Sequence, residues 1–255
     1  EPRWMVQPQI MDDKMNFQKT LHILFCTIFL ISFITGCGVT STTPTLPPVA
    51  SPDTSALDDA PPVTIDPTSP TTGINLIYDD DGSRDGTVAL LYLLSQPEIS
   101  IKAVNISYGE AHPEIYIQHI GRMLDNLGYQ DIPLGVGQDA PLAAGTPFPE
   151  WLRQLSDNFW NYPLPNEDKT YPVQNASELM IATLNQASEP IFIFMSGTFT
   201  SLAQALRLDP GIREKITAVY IMGGAVYVPG NITNLIPDSS NKVAEWNIIA
   251  DPQAA

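Results

Sequence analysis

The chain has 255 residues, 44% of them hydrophobic and 16% charged, enough for one or two packed domains. Twelve basic residues against 28 acidic ones leave a net charge of −16, which excludes nucleic-acid binding through phosphate contacts and a polybasic membrane patch. Two cysteines cannot build a disulfide scaffold or a Cys-rich zinc site, and three histidines argue against a His-based metal centre.

Residues 21–34, LHILFCTIFLISFI, form an apolar run preceded by Lys14 and Lys19. Fourteen residues are short for a membrane span and fit the core of a signal peptide. The run closes on Ile34-Thr35-Gly36-Cys37, which resembles a bacterial lipobox. On that reading Cys37 is lipidated, Cys26 leaves with the signal, and the protein is extracytoplasmic and held on a bacterial membrane by its lipid. An ordinary secretory signal with a chance cysteine is the alternative. Residues 1–10 precede the first convenient starts, Met11 and Met15, and are set apart from the fold. Domain organisation follows: 1–37 is upstream sequence plus signal, and 38–73 is a Pro/Ser/Thr-rich tether with only acidic charge. Residues 74–255 form the folded domain.

That domain alternates short apolar runs with amphipathic segments. Strands are predicted at 74–79, 99–106, 132–136, 191–195 and 216–222, and helices at 85–95, 113–127, 177–186 and 200–208. Continuous apolar strands between helices indicate a doubly wound α/β domain, a mostly parallel sheet with helices on both faces. Such a sheet places its ligand outside the C-terminal ends of its strands. The residues there are Asp79-Asp80-Asp81-Gly82-Ser83-Arg84-Asp85, Ser107-Tyr108-Gly109-Glu110, Ser196-Gly197-Thr198 and Gly223-Gly224-Ala225. Four carboxylates within seven residues repel one another unless their pKa values rise or a hard cation sits among them. A solvated turn with Asp85 as a helix cap is the competing reading.

The segment IYDDDGSRDGTVALLYLLSQPEI resembles the N-terminal signature of the inosine–uridine-preferring nucleoside hydrolases, roughly DxDPGxDDAxAL. SGTFTSLAQALRLDP, ITAVYIMGGAVYVPGN and AEWNIIADPQAA resemble later blocks of that family in the same order. The resemblance implies hydrolysis of the N-glycosidic bond of ribonucleosides to base and ribose. Calcium would hold the attacking water and the ribose diol. Asp81 would act as base and as a metal ligand beside Asp79 and the main-chain oxygen of Ser196. Asp85 would contact the 2′-hydroxyl, while Asn231, Glu245 and Asn247 would grip ribose hydroxyls and Trp246 would supply an aromatic wall. The expected partner is a small nucleoside, with a homo-oligomer left open.

The match departs from the signature in three places. The motif's last aspartate, a metal ligand in the family, is Gly86, and Glu110 replaces an asparagine and is a candidate to restore the carboxylate. Residues 232–243 form a polar insertion expected at the rim. The chain stops at Ala255, inside the last matching block. The domain is therefore read as incomplete at its C-terminus, without the family's leaving-group histidine and last calcium aspartate, and inactive by itself. Two alternatives stand beside the nucleoside reading: a hydrolase of another N-ribosyl compound, or a ribose- or nucleoside-binding lipoprotein that has lost catalysis, as Gly86 suggests. Among other residues, His112 could face the base pocket or sit solvated at a helix start. The aromatic stretch Phe148, Trp151, Phe159, Trp160 and Tyr162 could be a flap or sheet-edge packing.

Overall fold

The computed structural model describes residues 73–255. The apolar run 21–34, Cys37 and the tether up to residue 72 lie outside the described residues. In chain order the elements are β1 (Ile74–Asp80), α1 (Arg84–Leu94), β2 (Ile99–Ile106), α2 (Pro113–Leu127), β3 (Leu134–Val136) and α3 (Glu150–Asp157). Then come β4 (Val173–Asn175), α4 (Ala176–Gln186), β5 (Ile191–Met195), α5 (Thr200–Leu208), β6 (Ile216–Ile221), α6 (Ile232–Leu235) and α7 (Trp246–Ala250). Short 3-10 turns occupy Phe159–Asn161 and Pro210–Lys215.

The six strands pair in parallel in the order β4-β3-β2-β1-β5-β6. Successive side chains on a strand point to opposite faces. On β1 both Ile77 and Tyr78 are fully buried, so both faces of the sheet are covered at its centre. Tyr78, Val104 and Ile106 pack with Leu90 of α1 and Tyr116, Ile117, Ile120 and Leu124 of α2. Ile77, Ala103, Ile193 and Met195 pack with Leu179, Met180 and Leu184 of α4 and Leu202 and Ala205 of α5. This double cover is why the strands read as unbroken apolar runs.

The predicted elements are all present, with small shifts at their ends. The strand expected from Ile132 begins at Leu134, because Pro133 between them has no N–H to give a ladder. β4 escaped the sequence reading: its three residues are exposed and carry no apolar period. α3 escaped it too, since only two of its eight residues are buried. α1 is capped by Ser83, whose hydroxyl accepts from the Gly86 N–H, and Asp85 lies in its first turn.

Strand order sets the site. β1 lies between β2 and β5, and the chain leaves β1 to one side of the sheet and later crosses to the other. The crevice of such a sheet opens outside the C-terminal ends of the strands where that reversal occurs. Here those ends carry Asp79–Asp81 and Ser196.

Candidate active site at the end of the first strand

A cavity of about 220 Å³ opens at this point. The β1–α1 turn contributes Asp81, Ser83 and Asp85, the segment after β2 contributes Glu110, and the end of β5 contributes Ser196. Met222, Asn231, Asn234, Leu235, Glu245, Trp246, Asn247 and Phe148 complete the lining. Asp81, Asp85, Glu110, Ser196, Asn231, Glu245, Trp246 and Asn247, singled out in the sequence, therefore share one cavity although up to 166 positions separate them.

The three consecutive aspartates have three different environments. Asp81 reaches the cavity between two glycines. A Cβ on Gly109 would stand 2.4 Å from the Asp81 Cβ, and one on Gly197 would stand 2.5 Å from it. Asp81 Oδ2 accepts the Glu110 N–H at 3.3 Å, while Oδ1 is buried without a hydrogen-bond partner. Burial pushes the Asp81 pKa well above the ordinary carboxylate range, and the charges of Asp80, Glu110 and Asp85 add to this.

Asp79 lies deeper in the strand and does not line the cavity. The Ser107 hydroxyl donates to its Oδ1 at 2.5 Å, Ser201 lies 2.6 Å beyond, and Oδ2 is buried without a partner. Burial raises its pKa to about 7, against the opposing hydrogen bond from Ser107.

Asp80 is fully engaged. Its Oδ2 accepts from the N–H groups of Gly82 (2.9 Å) and Ser83 (3.0 Å), and its Oδ1 from the hydroxyls of Ser83 (3.1 Å) and Ser196 (2.8 Å). Burial moves it to about 6, with those donors holding it down.

Glu110 faces the same space from the neighbouring strand end. The Ser156 hydroxyl of α3 donates to its Oε1 at 3.0 Å, and burial lifts its pKa to about 7. His112, the cap of α2, is turned outward. Its Nδ1 lies 2.7 Å from Asp157 Oδ2, and it has no place in the cavity lining.

The opposite wall is held by a self-consistent set of bonds. Glu245 caps α7 by accepting from the N–H groups of Asn247 (3.1 Å) and Ile248 (3.2 Å). It also accepts from Gly224 N–H at 3.1 Å and from Asn231 Nδ2 at 3.3 Å. Asn231 Oδ1 accepts the Trp246 N–H at 2.8 Å. Asn247 Nδ2 donates to the main-chain oxygens of Ser196 (3.0 Å) and Met222 (2.9 Å). The Gly223-Gly224 turn is thus used inside the fold, by Glu245.

The sequence reading missed Met222 and the placing of Phe148; it named Ser83 only among the strand-end residues, and Asn234 and Leu235 only as part of the insertion expected at the rim. Phe148 stacks on Trp246 with ring centroids 4.8 Å apart and joins Tyr108, Leu152 and Ile232 in an apolar cluster beside the cavity. The other aromatics of its stretch behave differently. Phe159 and Trp160 pack on Tyr116, whereas Trp151 and Tyr162 are exposed. Asn234 and Leu235 come from the polar insertion, whose first four residues form α6.

Among the described residues, no group of three or more His, Cys, Asp or Glu side chains converges on a metal-sized point. The donors that are present suit a hard cation all the same. They are oxygens only, and one buried oxygen each of Asp79 and Asp81 lacks any partner. A cation here would draw its remaining ligands from main-chain oxygens and water.

Residues 76–255 match the family model described as inosine-uridine preferring nucleoside hydrolase. The chain is 32% identical over 188 residues to the pyrimidine-specific ribonucleoside hydrolase RihA of Citrobacter koseri, covering 71% of this chain and 54% of that protein. It is 34% identical over 190 residues to the RihA of Escherichia coli K12, covering 71% and 55%. Among solved structures, the inosine-uridine preferring nucleoside hydrolase of Bacillus anthracis superposes with a TM-score of 0.61 at 27% identity, covering 71% of this chain and 60% of that one. The plant nucleoside hydrolase PpNRh1 gives 0.61 at 27%, covering 71% and 55%. The chain spans about half the length of the curated relatives it matches.

Proposed function

The chain belongs to the inosine-uridine preferring nucleoside hydrolase family, and from that membership we propose that it takes part in hydrolysing ribonucleosides to free base and ribose. The observation that carries the proposal is the floor of the cavity: Asp81, buried, with one oxygen free of any partner. Cleaving an N-glycosidic bond builds positive charge on the ribose ring, and a cavity lined by Asp81, Asp85, Glu110 and Glu245 favours that charge over the neutral ground state.

In this reading Asp81 takes the proton of the attacking water. Asp85, exposed at the first turn of α1, accepts from a ribose hydroxyl. Asn231 and Asn247 face the sugar from the opposite wall, and the Phe148–Trp246 stack excludes water beside it. Asp79, Asp81 and the Ser196 carbonyl are the residues assigned to calcium, which when bound would acidify water and offset the clustered carboxylates.

The test is ribose release from uridine, cytidine and inosine, for the parent and Asp81→Ala. The names of the RihA relatives make uridine and cytidine the first substrates to assay. Activity that survives the loss of Asp81 would refute the mechanism. Gly86 favours a second reading, a sugar-binding lipoprotein without turnover. Nucleoside binding by calorimetry with no ribose release would select it. We also propose lipidation at Cys37, on the Lys-flanked apolar run that ends there. Processing and membrane fractionation unaltered by Cys37→Ser would contradict it.

A further inference from the structure

The region around Gly86 holds an arrangement that neither the motif nor the proposed mechanism uses. A Cβ built on Gly86 would lie 1.8 Å from Asp80 Oδ1, 2.4 Å from its Cγ and 2.7 Å from Ser83 Oγ. Real atoms do not approach so closely, so a side chain at 86 and the Asp80 carboxylate exclude each other. Gly86 is held from both sides: its N–H donates to Ser83 Oγ at 3.0 Å, and its carbonyl accepts the Tyr78 hydroxyl at 2.6 Å. Moving the backbone there to make room would break these two bonds.

Asp80 uses this space fully. Four donors reach its two oxygens, three from the β1–α1 turn and one, the Ser196 hydroxyl, from the end of β5. A carboxylate so filled is built to position its neighbours. Of those neighbours, Ser83 and Ser196 line the cavity, and Asp81 follows directly in sequence. Glu110, the carboxylate considered in the sequence as a stand-in for residue 86, is absent from the three nearest contacts of that Cβ.

We infer that Asp80 and Gly86 have exchanged places: the space of the carboxylate missing at 86 is filled from β1 by Asp80, a positioning residue that ties the α1 turn to the end of β5 and sets Ser196 and Asp81 at the cavity. Gly86 is the residue that admits it. In one arm of its test the inference rests on the calcium reading above.

The experiment compares the parent with Asp80→Ala, Gly86→Asp and the double variant. Thermal midpoints are measured without calcium, then with calcium chloride added. Without calcium, each single variant should melt lower than the parent, and Gly86→Asp should cost clearly less on the Asp80→Ala background, where the two closest clashes are gone and only the 2.7 Å contact with Ser83 Oγ remains. With calcium, Asp80→Ala should weaken the apparent affinity about tenfold or more, and the double variant should recover most of it. If Gly86→Asp alone fails to fold while the double variant folds, the exchange is supported. Equal cost of Gly86→Asp in both backgrounds overturns it, as does Asp80→Ala binding calcium as the parent does. A parent that ignores calcium refutes the metal reading, and the calcium-free coupling then decides the exchange alone.

Discussion

The side-chain amide of Asn247 donates to the main-chain oxygen of Ser196 at 3.0 Å, across 51 positions of sequence. The same Nδ2 reaches the Met222 oxygen at 2.9 Å, so one buried amide fastens α7 to the ends of β5 and β6. Asn247→Ala leaves two carbonyls without this donor and opens a space beside the cavity. We expect a loss of about 2–3 kcal/mol in denaturant unfolding, with substrate affinity falling alongside.

Asp81 should separate function from stability. Without a cation its buried carboxylate is costly, so Asp81→Asn should leave the calcium-free protein as stable as the parent or more so. The same change should abolish ribose release and calcium stabilisation. Calorimetric calcium titration and a thermal melt of each form check both halves.

Asp85 is exposed in the first turn of α1, at the cavity's lining. Asp85→Ala should therefore alter stability by no more than about 0.5 kcal/mol. Its effect should appear in kinetics, as a raised KM and lowered kcat for ribonucleosides. If Asp85 has the proposed role, 2′-deoxynucleosides should lose less than ribonucleosides when it is replaced, which is the comparison that checks it.

Trp246 keeps its indole N–H buried without a partner while stacking on Phe148. Trp246→Phe preserves the stack and removes the unpaired donor. Stability should hold or rise by up to about 1 kcal/mol, while Phe148→Ala should cost about 3 kcal/mol or more. Denaturant midpoints of the two variants give the contrast.

Asp79 and Glu110 both have pKa values raised to about 7, chiefly by burial. A carboxyl whose folded pKa exceeds its unfolded one stabilises the fold below the unfolded pKa, and that contribution is lost as pH rises through the folded pKa. The metal-free protein should thus be more stable at pH 5 than at pH 8, by at least about 2 kcal/mol. Calcium should shrink the difference, since a cation favours the ionised carboxylates. Melts at both pH values, with and without calcium, measure it.

Local pattern carried most of the architecture. The apolar runs at β1, β2 and β5 were legible because central strands of such a sheet admit few polar residues, and the edge strand β6 keeps the same apolar pattern although its residues are half-buried or exposed. The family resemblance, carried by contiguous motifs, likewise needed no coordinates. Asp81, Asp85 and Glu110 were legible as candidates because strand ends of such a sheet face the ligand. What the sequence alone left open was which way each neighbour turns. Asp79, Asp80 and Asp81 are identical in chemistry, yet strand alternation and the packing of Ser107, Ser196 and two glycines give them separate tasks. Phe148 and Trp160 are both aromatic, yet one walls the cavity and the other packs on Tyr116, because their surroundings come from distant segments. The space at Gly86 belongs to Asp80 only once β1 and α1 meet. That is a contact of the Asp80 carboxylate with the Gly86 backbone, and no periodicity in the chain encodes it.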